Sequence, residues 1–166
     1  MTTIGIDYSL TSPAVCLHLG DEFTVINCKF FYLSSVKKSL KYNEVFKGSL
    51  YPEYNNALQR YNNISNWVLD IVGEYNVERV LIEDYAFAAV GKVFNIAENT
   101  GILKYRLWKD HGIIPETVPP TVIKKAATGK GNANKEAMQQ EVVSVLNNQE
   151  ADRLKISYIK TRKEDN

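Results

Sequence analysis

The sequence predicts an α/β fold: a mixed five-stranded sheet with helices on its faces. Two observations predict it. Three β-type segments follow one another near the N-terminus, and farther along the chain helical segments alternate with short apolar strands. Strands joined by short turns pair antiparallel, whereas a strand reached through a helix lies parallel to its neighbour. The length of 166 residues, with 45% hydrophobic and 23% charged residues, suits one domain covering residues 1–166.

The three N-terminal strands are predicted at residues 2–8, 13–19 and 23–33, because each is apolar or β-branched and ends at turn residues. The polar residues 34–52 include four lysines and predict a flexible loop. An apolar repeat at helical spacing then predicts a helix over residues 53–75. The very apolar segment that follows this helix predicts a parallel strand.

The helix predicted at residues 94–111 carries two apolar stripes, which indicates that one faces the sheet and the other a partner subunit. The remaining elements are a short strand, two helices and a possible final strand, at residues 115–120, 121–127, 134–146 and 154–159. Cys16 and Cys28 lie in predicted strands without a metal-binding motif. We therefore expect two reduced, buried thiols and no zinc site.

Composition restricts the function. The net charge of +1 excludes a strongly basic protein that coats nucleic acid, but it allows a local basic patch. No apolar stretch approaches the ~18 residues of a membrane span, and the first residues lack the features of a signal peptide. We therefore expect a soluble, cytoplasmic protein.

Two carboxylates occur at matching places in two predicted strands. Asp7 ends the run IGID and Glu83 ends the run VLIE. If the two strands are neighbours, these acids converge at the edge where α/β proteins bind ligands. Close carboxylates repel each other, and Mg²⁺ or Mn²⁺ relieves the repulsion; two such ions can bracket a phosphodiester for attack by water. The alternative is that each acid simply ends its strand in solvent.

The segment PTVIKKAATGKGNANKEAM is basic and contains two glycines. Glycines allow backbone N–H groups to approach phosphate oxygens, and a following helix adds positive charge at its N-terminus. The common nucleotide-binding glycine motifs are missing, which disfavours a nucleotide site. The alternative is a solvated loop, but opposite a carboxylate pair such lysines suit a polyanion. The lysines are Lys124, Lys125, Lys130 and Lys135.

The order of these features along the chain resembles that of RuvC-type Holliday junction resolvases. The features are Asp7 after IGI, Glu83 after VLI, the long apolar helix and the basic segment. The basic segment is similar to that family's pattern V-K-x-x-x-x-G-x-G-x-A-x-K, with Lys124 and Lys135 in the lysine positions. The resemblance covers about residues 2–145. It implies an RNase H-like fold, a homodimer formed through the long apolar helix, and Mg²⁺-dependent paired nicking of four-way or branched DNA. The compact form would suit a phage or viral member acting in its host cell.

The resemblance also implies roles for individual residues. Asp7 and Glu83 would be ligands of two Mg²⁺ ions, for which Mn²⁺ would substitute. The lysines of the basic segment would contact DNA phosphates, and Lys135 would also support the cut. Tyr85 or Phe87 would stack on an unpaired base at the junction. The alternative for these two is a core aromatic residue that closes the strand.

The chain departs from the family at its C-terminus, where the family has two further aspartates spaced D-x-x-D. Asp165 is the candidate for the missing catalytic metal ligand, beside Glu164; Asp152 is a poorer one, and Asn166 could occupy an aspartate position. The C-terminal catalytic segment is thus expected to be short or missing. Either the natural protein is longer, or a terminal acid completes the site, or the site binds DNA without cutting.

Two other functions occur on the same predicted core. A module of the same fold could bind branched DNA without cutting it. An ATPase related to actin or sugar kinases shares the core, but it needs a second domain and further glycine-rich phosphate loops, which this chain lacks. The lysines within residues 34–52 could add a second DNA-facing patch or belong to a solvated loop.

Overall fold

The computed structural model describes residues 1–85 and 93–148, which form a six-stranded sheet flanked by four helices. The strands are β1 (Thr2–Asp7), β2 (Ala14–Leu19), β3 (Cys28–Ser34), β4 (Phe46–Leu50), β5 (Arg79–Glu83) and β6 (Glu116–Val118). The helices are α1 (Ala57–Glu74), α2 (Val93–His111), α3 (Pro120–Thr128) and α4 (Lys135–Asn148). None of these helices is long and apolar enough to cross a membrane.

The sheet has the strand order β4-β3-β2-β1-β5-β6. β2 pairs antiparallel with both β1 and β3, so that Ala14 lies opposite Asp7 on one side and Tyr32 on the other. β5 is parallel to β1 and β6 is parallel to β5, because α1 and α2 each return the chain to the start of the next strand. The predicted α/β fold is confirmed, with antiparallel strands first and parallel strands after them.

Residues 34–52 are ordered, so the prediction of a flexible loop was wrong. β4 adds a sixth strand to the five predicted and lies parallel to β3 at the edge of the sheet. The Tyr32 hydroxyl donates to the Ser39 carbonyl oxygen at 2.8 Å and accepts the Lys41 N–H at 2.7 Å. A Cβ atom on Gly48 would lie 2.5 Å from Tyr32 Cζ, so a glycine is needed where β4 passes this ring. These contacts, which no apolar pattern announces, order the segment.

Two element boundaries also differ from the prediction. β3 begins later, at Cys28, because the chain first makes a 3₁₀ turn. α1 begins at Ala57 because Asn56 caps it: Asn56 Oδ1 accepts the Gln59 N–H at 2.8 Å. Both cysteines are free thiols; Cys28 is buried as expected, whereas Cys16 is half-buried.

One face of the sheet packs against α1 and α2. Alternate residues of β1, β2 and β5 point to this face and are buried: Ile4, Ile6, Val15, Leu17, Val80 and Ile82. The two helices contribute the buried residues Tyr61, Ile64, Val68, Leu103 and Leu107. One predicted stripe of α2 therefore faces the core. The other stripe is open to solvent, with exposures of 80% for Phe94, 54% for Tyr105 and 57% for Trp108.

The packing of α2 can be tested with two leucines. Leu103 is 0% exposed, whereas Leu58 on α1 is 71% exposed. Leu103→Ala should lower the free energy of unfolding by about 2–5 kcal/mol, because its neighbours fill the resulting cavity only in part. Leu58→Ala should change it by less than about 0.5 kcal/mol. Urea denaturation followed by circular dichroism measures both changes, and equal effects would contradict the buried position of Leu103.

Candidate active site

The two acids singled out in the sequence lie side by side at one edge of the sheet. β1 and β5 are neighbouring parallel strands in which Ile6 lies opposite Ile82, so Asp7 and Glu83, the last residues of the two strands, come next in register. Adjacent strands lie about 4.8 Å apart. Because Ile6 and Ile82 point into the core, the strand alternation turns both acids to the opposite face. The structure thus brings Asp7 and Glu83 together.

The protein environment makes this acidic pair costly to ionise. Burial raises the pKa of Glu83 above its usual range, and the charge of Asp7 raises it further; the Lys124 ammonium group opposes both effects. Partial desolvation also raises the pKa of Asp7, although the Asp7 and Glu83 residues both remain exposed to solvent. Two incompletely solvated carboxylates attract a cation, because it stabilises the charged form of both.

β6 and α3 bring Lys124 to this pair. Val118, the last residue of β6, pairs with Glu83, and its carbonyl oxygen accepts the Asp84 N–H at 2.9 Å. α3 then begins at Pro120, a residue that suits the first turn of a helix. This short connection holds Lys124 close enough to influence the Glu83 carboxylate.

The predicted basic segment spans α3, the start of α4 and the turn between these two helices. Gly129 ends α3 with φ at 76°, a left-handed conformation that favours glycine. Gly131 fits closely against Thr121, since a Cβ atom at residue 131 would lie 3.1 Å from the Thr121 carbonyl oxygen. Three further lysines are exposed: Lys125 on α3, Lys130 in the turn and Lys135 at the start of α4. The two glycines therefore fix a compact turn that carries these lysines.

Tyr85, just after the acidic pair, packs against a lysine. Lys104 Nζ of α2 lies 5.6 Å from the centre of the Tyr85 ring and donates to Thr117 Oγ1 at 3.0 Å. Asp84 makes a local bond, in which its Oδ1 accepts the Tyr85 N–H at 2.8 Å. The half-buried Tyr85 ring is compatible with either interpretation made from the sequence.

The donor set around Asp7 and Glu83 fits a hard divalent cation. In residues 1–85 and 93–148, no group of three or more His, Cys, Asp or Glu side chains is placed to hold a metal ion. Asp165 and Phe87 lie outside these ranges, as do Asp152, Glu164 and Asn166. Mg²⁺ is commonly bound by one or two carboxylates, with water and substrate phosphates as its other ligands. The two carboxylates therefore suit Mg²⁺, and their oxygens also suit Mn²⁺.

Asp7 also lines a groove of about 510 Å³ on the sheet face opposite α1 and α2. Its other lining residues include Gly5, Ser12, Cys16, Phe30, Ser34, Ser39 and Phe46. The sequence pattern did not predict this groove, because one of its sides comes from the segment expected to be a loop. The sequence signal that could have revealed it is the continuous apolar run FFYL in β3. Such a run places apolar side chains on both faces of the sheet: Phe31 and Leu33 are buried on one face, and half-buried Phe30 and Tyr32 lie on the other.

The raised pKa values give a pH dependence with a definite sign. The folded protein holds the proton of such a carboxyl group more tightly than the unfolded chain does. The free energy of unfolding therefore falls as pH rises from the unfolded-state pKa of the group, about 4, through its higher folded-state pKa. Asp7→Asn removes this penalty, so in metal-free buffer it should raise Tm at pH 7, and the gain should vanish below about pH 4. Thermal unfolding at several pH values measures it. Asp84→Asn is the control and should change Tm little; a lower Tm for Asp7→Asn at pH 7 would contradict the partial desolvation of the Asp7 carboxylate.

A family model matches most of the chain. Residues 27–157 match the family described as crossover junction endodeoxyribonuclease RuvC. Glu83, Lys124 and Lys135 lie within the matched residues, and Asp7 precedes them. A comparison with curated protein sequences found no match.

Solved structures of Thermus thermophilus RuvC are similar to this chain. One aligns over 89% of this chain and 81% of the other, with a TM-score of 0.60 and 20% sequence identity. Another, T. thermophilus RuvC in complex with a Holliday junction substrate, aligns over 87% of this chain and 79% of the other, with a TM-score of 0.61 and 20% identity. These similarities establish the RNase H-like fold. Because the family match spans most of the sequence, this chain belongs to the crossover junction endodeoxyribonuclease RuvC family of junction-resolving nucleases.

Proposed function

We propose that this protein is a metal-dependent, structure-selective endonuclease that resolves four-way or branched DNA junctions by paired phosphodiester hydrolysis. The observation that carries the proposal is the adjacency of Asp7 and Glu83 at the ends of β1 and β5, with Lys124 near enough to Glu83 to lower the pKa of its carboxyl group. Two carboxylates can bind a metal ion, and a nearby lysine ammonium group can bind a phosphate at the same place. Family membership supports DNA junctions as the substrate class.

Asp7 and Glu83 would hold Mg²⁺, with Asp165 as the proposed third ligand. When bound, one or two such ions polarise the phosphate and lower the pKa of a water molecule. In the reaction, the water oxygen bonds to phosphorus, and the bond from phosphorus to the 3′ oxygen breaks. The water gives up a proton and the 3′ oxygen gains one, which leaves 5′-phosphate and 3′-hydroxyl ends.

The lysines position the DNA backbone for this step. Lys124 stands beside Glu83, so a phosphate that approaches the carboxylates meets a positive charge there. Lys135, exposed at the first turn of α4, is proposed to support the cut by holding a phosphate at the positive end of that helix. Lys125 and Lys130, both exposed, add backbone contacts that carry no sequence information. Tyr85, the last residue of the described range 1–85, is one candidate for stacking on an unpaired base, and Phe87 is the second candidate.

Paired cutting needs two active sites, and α2 provides a surface for a second copy of the chain. Its outer stripe presents Phe94, Tyr105 and Trp108 to solvent, with exposed Gly101 among them. Aromatic side chains on one exposed helix face are typical of a subunit interface. We therefore include a homodimer formed through α2 in the proposed function.

Substitution of the acids tests the chemistry. Asp7→Asn and Glu83→Gln should each slow cleavage of a synthetic four-way junction in Mg²⁺ by about a hundredfold or more, because each removes a charged metal ligand. Asp84→Asn should cut at the wild-type rate, since an amide oxygen can still accept the Tyr85 N–H. Gel electrophoresis of labelled junctions measures the rates.

The same assay distinguishes the proposed nuclease from the alternative, a module that binds branched DNA without cutting it. Full-length wild-type protein that binds the junction but leaves it intact in both Mg²⁺ and Mn²⁺ would support that alternative. Cleavage that persists at the wild-type rate in both Asp7→Asn and Glu83→Gln would contradict the proposed site.

The dimer surface has its own test. Trp108→Glu should weaken self-association by about thirtyfold, because it places a charge in an aromatic contact. Phe23→Glu is a matched control, since Phe23 is 66% exposed but lies outside α2. Light scattering after size exclusion measures the mass, and the junction assay should show singly nicked products accumulating for Trp108→Glu alone. Unchanged mass for Trp108→Glu would exclude this face as the interface.

A further inference from the structure

The segment between β3 and β4 is a fixed, basic part of the surface. It contains a 3₁₀ turn, Lys37–Ser39, held by the two hydrogen bonds of the Tyr32 hydroxyl described above. The Gly48 N–H donates to the Lys41 carbonyl oxygen at 2.7 Å, and the Val36 N–H donates to Ser34 Oγ at 3.1 Å. Bonds at both ends of the turn hold its backbone at a defined place on the protein.

This turn lies at the same edge of the sheet as the acidic pair. β3 is antiparallel to β2, and β2 is antiparallel to β1, so β1 and β3 end at the same edge. Ser34 and Ser39 line the groove that Asp7 also lines. The turn therefore stands beside the groove on the β3 side of Asp7, whereas Lys124 approaches from the β5 and β6 side.

The charge of the segment is concentrated at this turn. Residues 35–45, which connect β3 to β4, contain the three lysines Lys37, Lys38 and Lys41 and one acid, Glu44, although the whole chain has a net charge of only +1. Lys37 and Lys38 are exposed, and neither forms an ion pair with any residue in the described ranges. Two adjacent, unpaired ammonium groups on a rigid turn suit an anion that reaches them from solvent.

We infer that Lys37 and Lys38 bind phosphates of the same DNA whose scissile phosphate lies at Asp7 and Glu83. The inference rests on the proposed function, which it deepens by adding a second backbone contact on the other side of the acids. β3 is two strands from β1, a distance of about 10 Å. Phosphates advance about 3.4 Å per nucleotide along the axis of duplex DNA. For a duplex whose axis runs across the strands, the contacted phosphates therefore lie about three or more nucleotides from the cut.

The test measures how junction binding depends on salt. In EDTA, which prevents cleavage, fluorescence anisotropy gives the affinity of the full chain for a four-way junction at several salt concentrations. Lys37→Ala combined with Lys38→Ala should reduce the slope of log affinity against log salt by about two, one for each lost phosphate contact. Lys37→Arg with Lys38→Arg should keep the wild-type slope. Lys29→Ala is the control and should keep the wild-type slope. Lys29 lies near the start of β3, at the edge of the sheet opposite to the acidic pair.

A chemically modified junction locates the contact. Neutral methylphosphonate linkages about three nucleotides from the cut should weaken binding of the wild type and leave the double alanine variant unaffected. A double alanine variant with the wild-type slope would overturn the inference and leave the proposed function intact. Failure of the wild type to bind the junction at low salt, both in EDTA and in Ca²⁺, would overturn both the inference and the proposed function.

Discussion

The parallel pairing of β1 with β5 is the constraint on which the site depends. α1 carries the chain from β4 at the edge of the sheet to β5 beside β1, and burial of α1 against Ile4, Ile6 and Ile82 holds the two strands in register. The register places two acids from distant parts of the sequence at one edge. The apolar core thus determines the position of a charged site, although the charges themselves destabilise the fold by burial and mutual repulsion.

Much of this arrangement could be predicted from the sequence because it follows simple periodicities. β1, β2 and β5 alternate or run apolar, and α1 and α2 carry buried stripes at helical spacing. Asp7 and Glu83 were found because each interrupts such a pattern at a strand end. β4 was missed because FKGSL has no such pattern; its place depends on Tyr32 and Gly48, which meet only in the folded chain. Likewise, the proximity of Lys124 to Glu83 depends on the pairing of β6 with β5.

The near-neutral net charge conceals a separation of charge across the surface. Basic side chains lie on α3, in the turn that follows it, at the first residue of α4 and at the turn before β4, on either side of a pair of carboxylates. In such a field, a polyanion is attracted to the flanks and repelled at the centre unless a cation neutralises the acids. Binding of DNA and binding of metal are therefore expected to assist each other.

The contact between Gly48 and Tyr32 limits how this segment can evolve. A side chain at residue 48 would displace the ring that fixes the lysine-bearing turn, and a smaller residue at 32 would leave Ser39 and Lys41 without their shared partner. Neither position can change alone without disordering the turn. Substitutions at residues 32 and 48 should thus occur together in relatives, whereas the exposed positions 37 and 38 can exchange one basic residue for another without disturbing the turn. A rigid support with interchangeable charges would allow the DNA-facing edge to adapt without rebuilding the sheet.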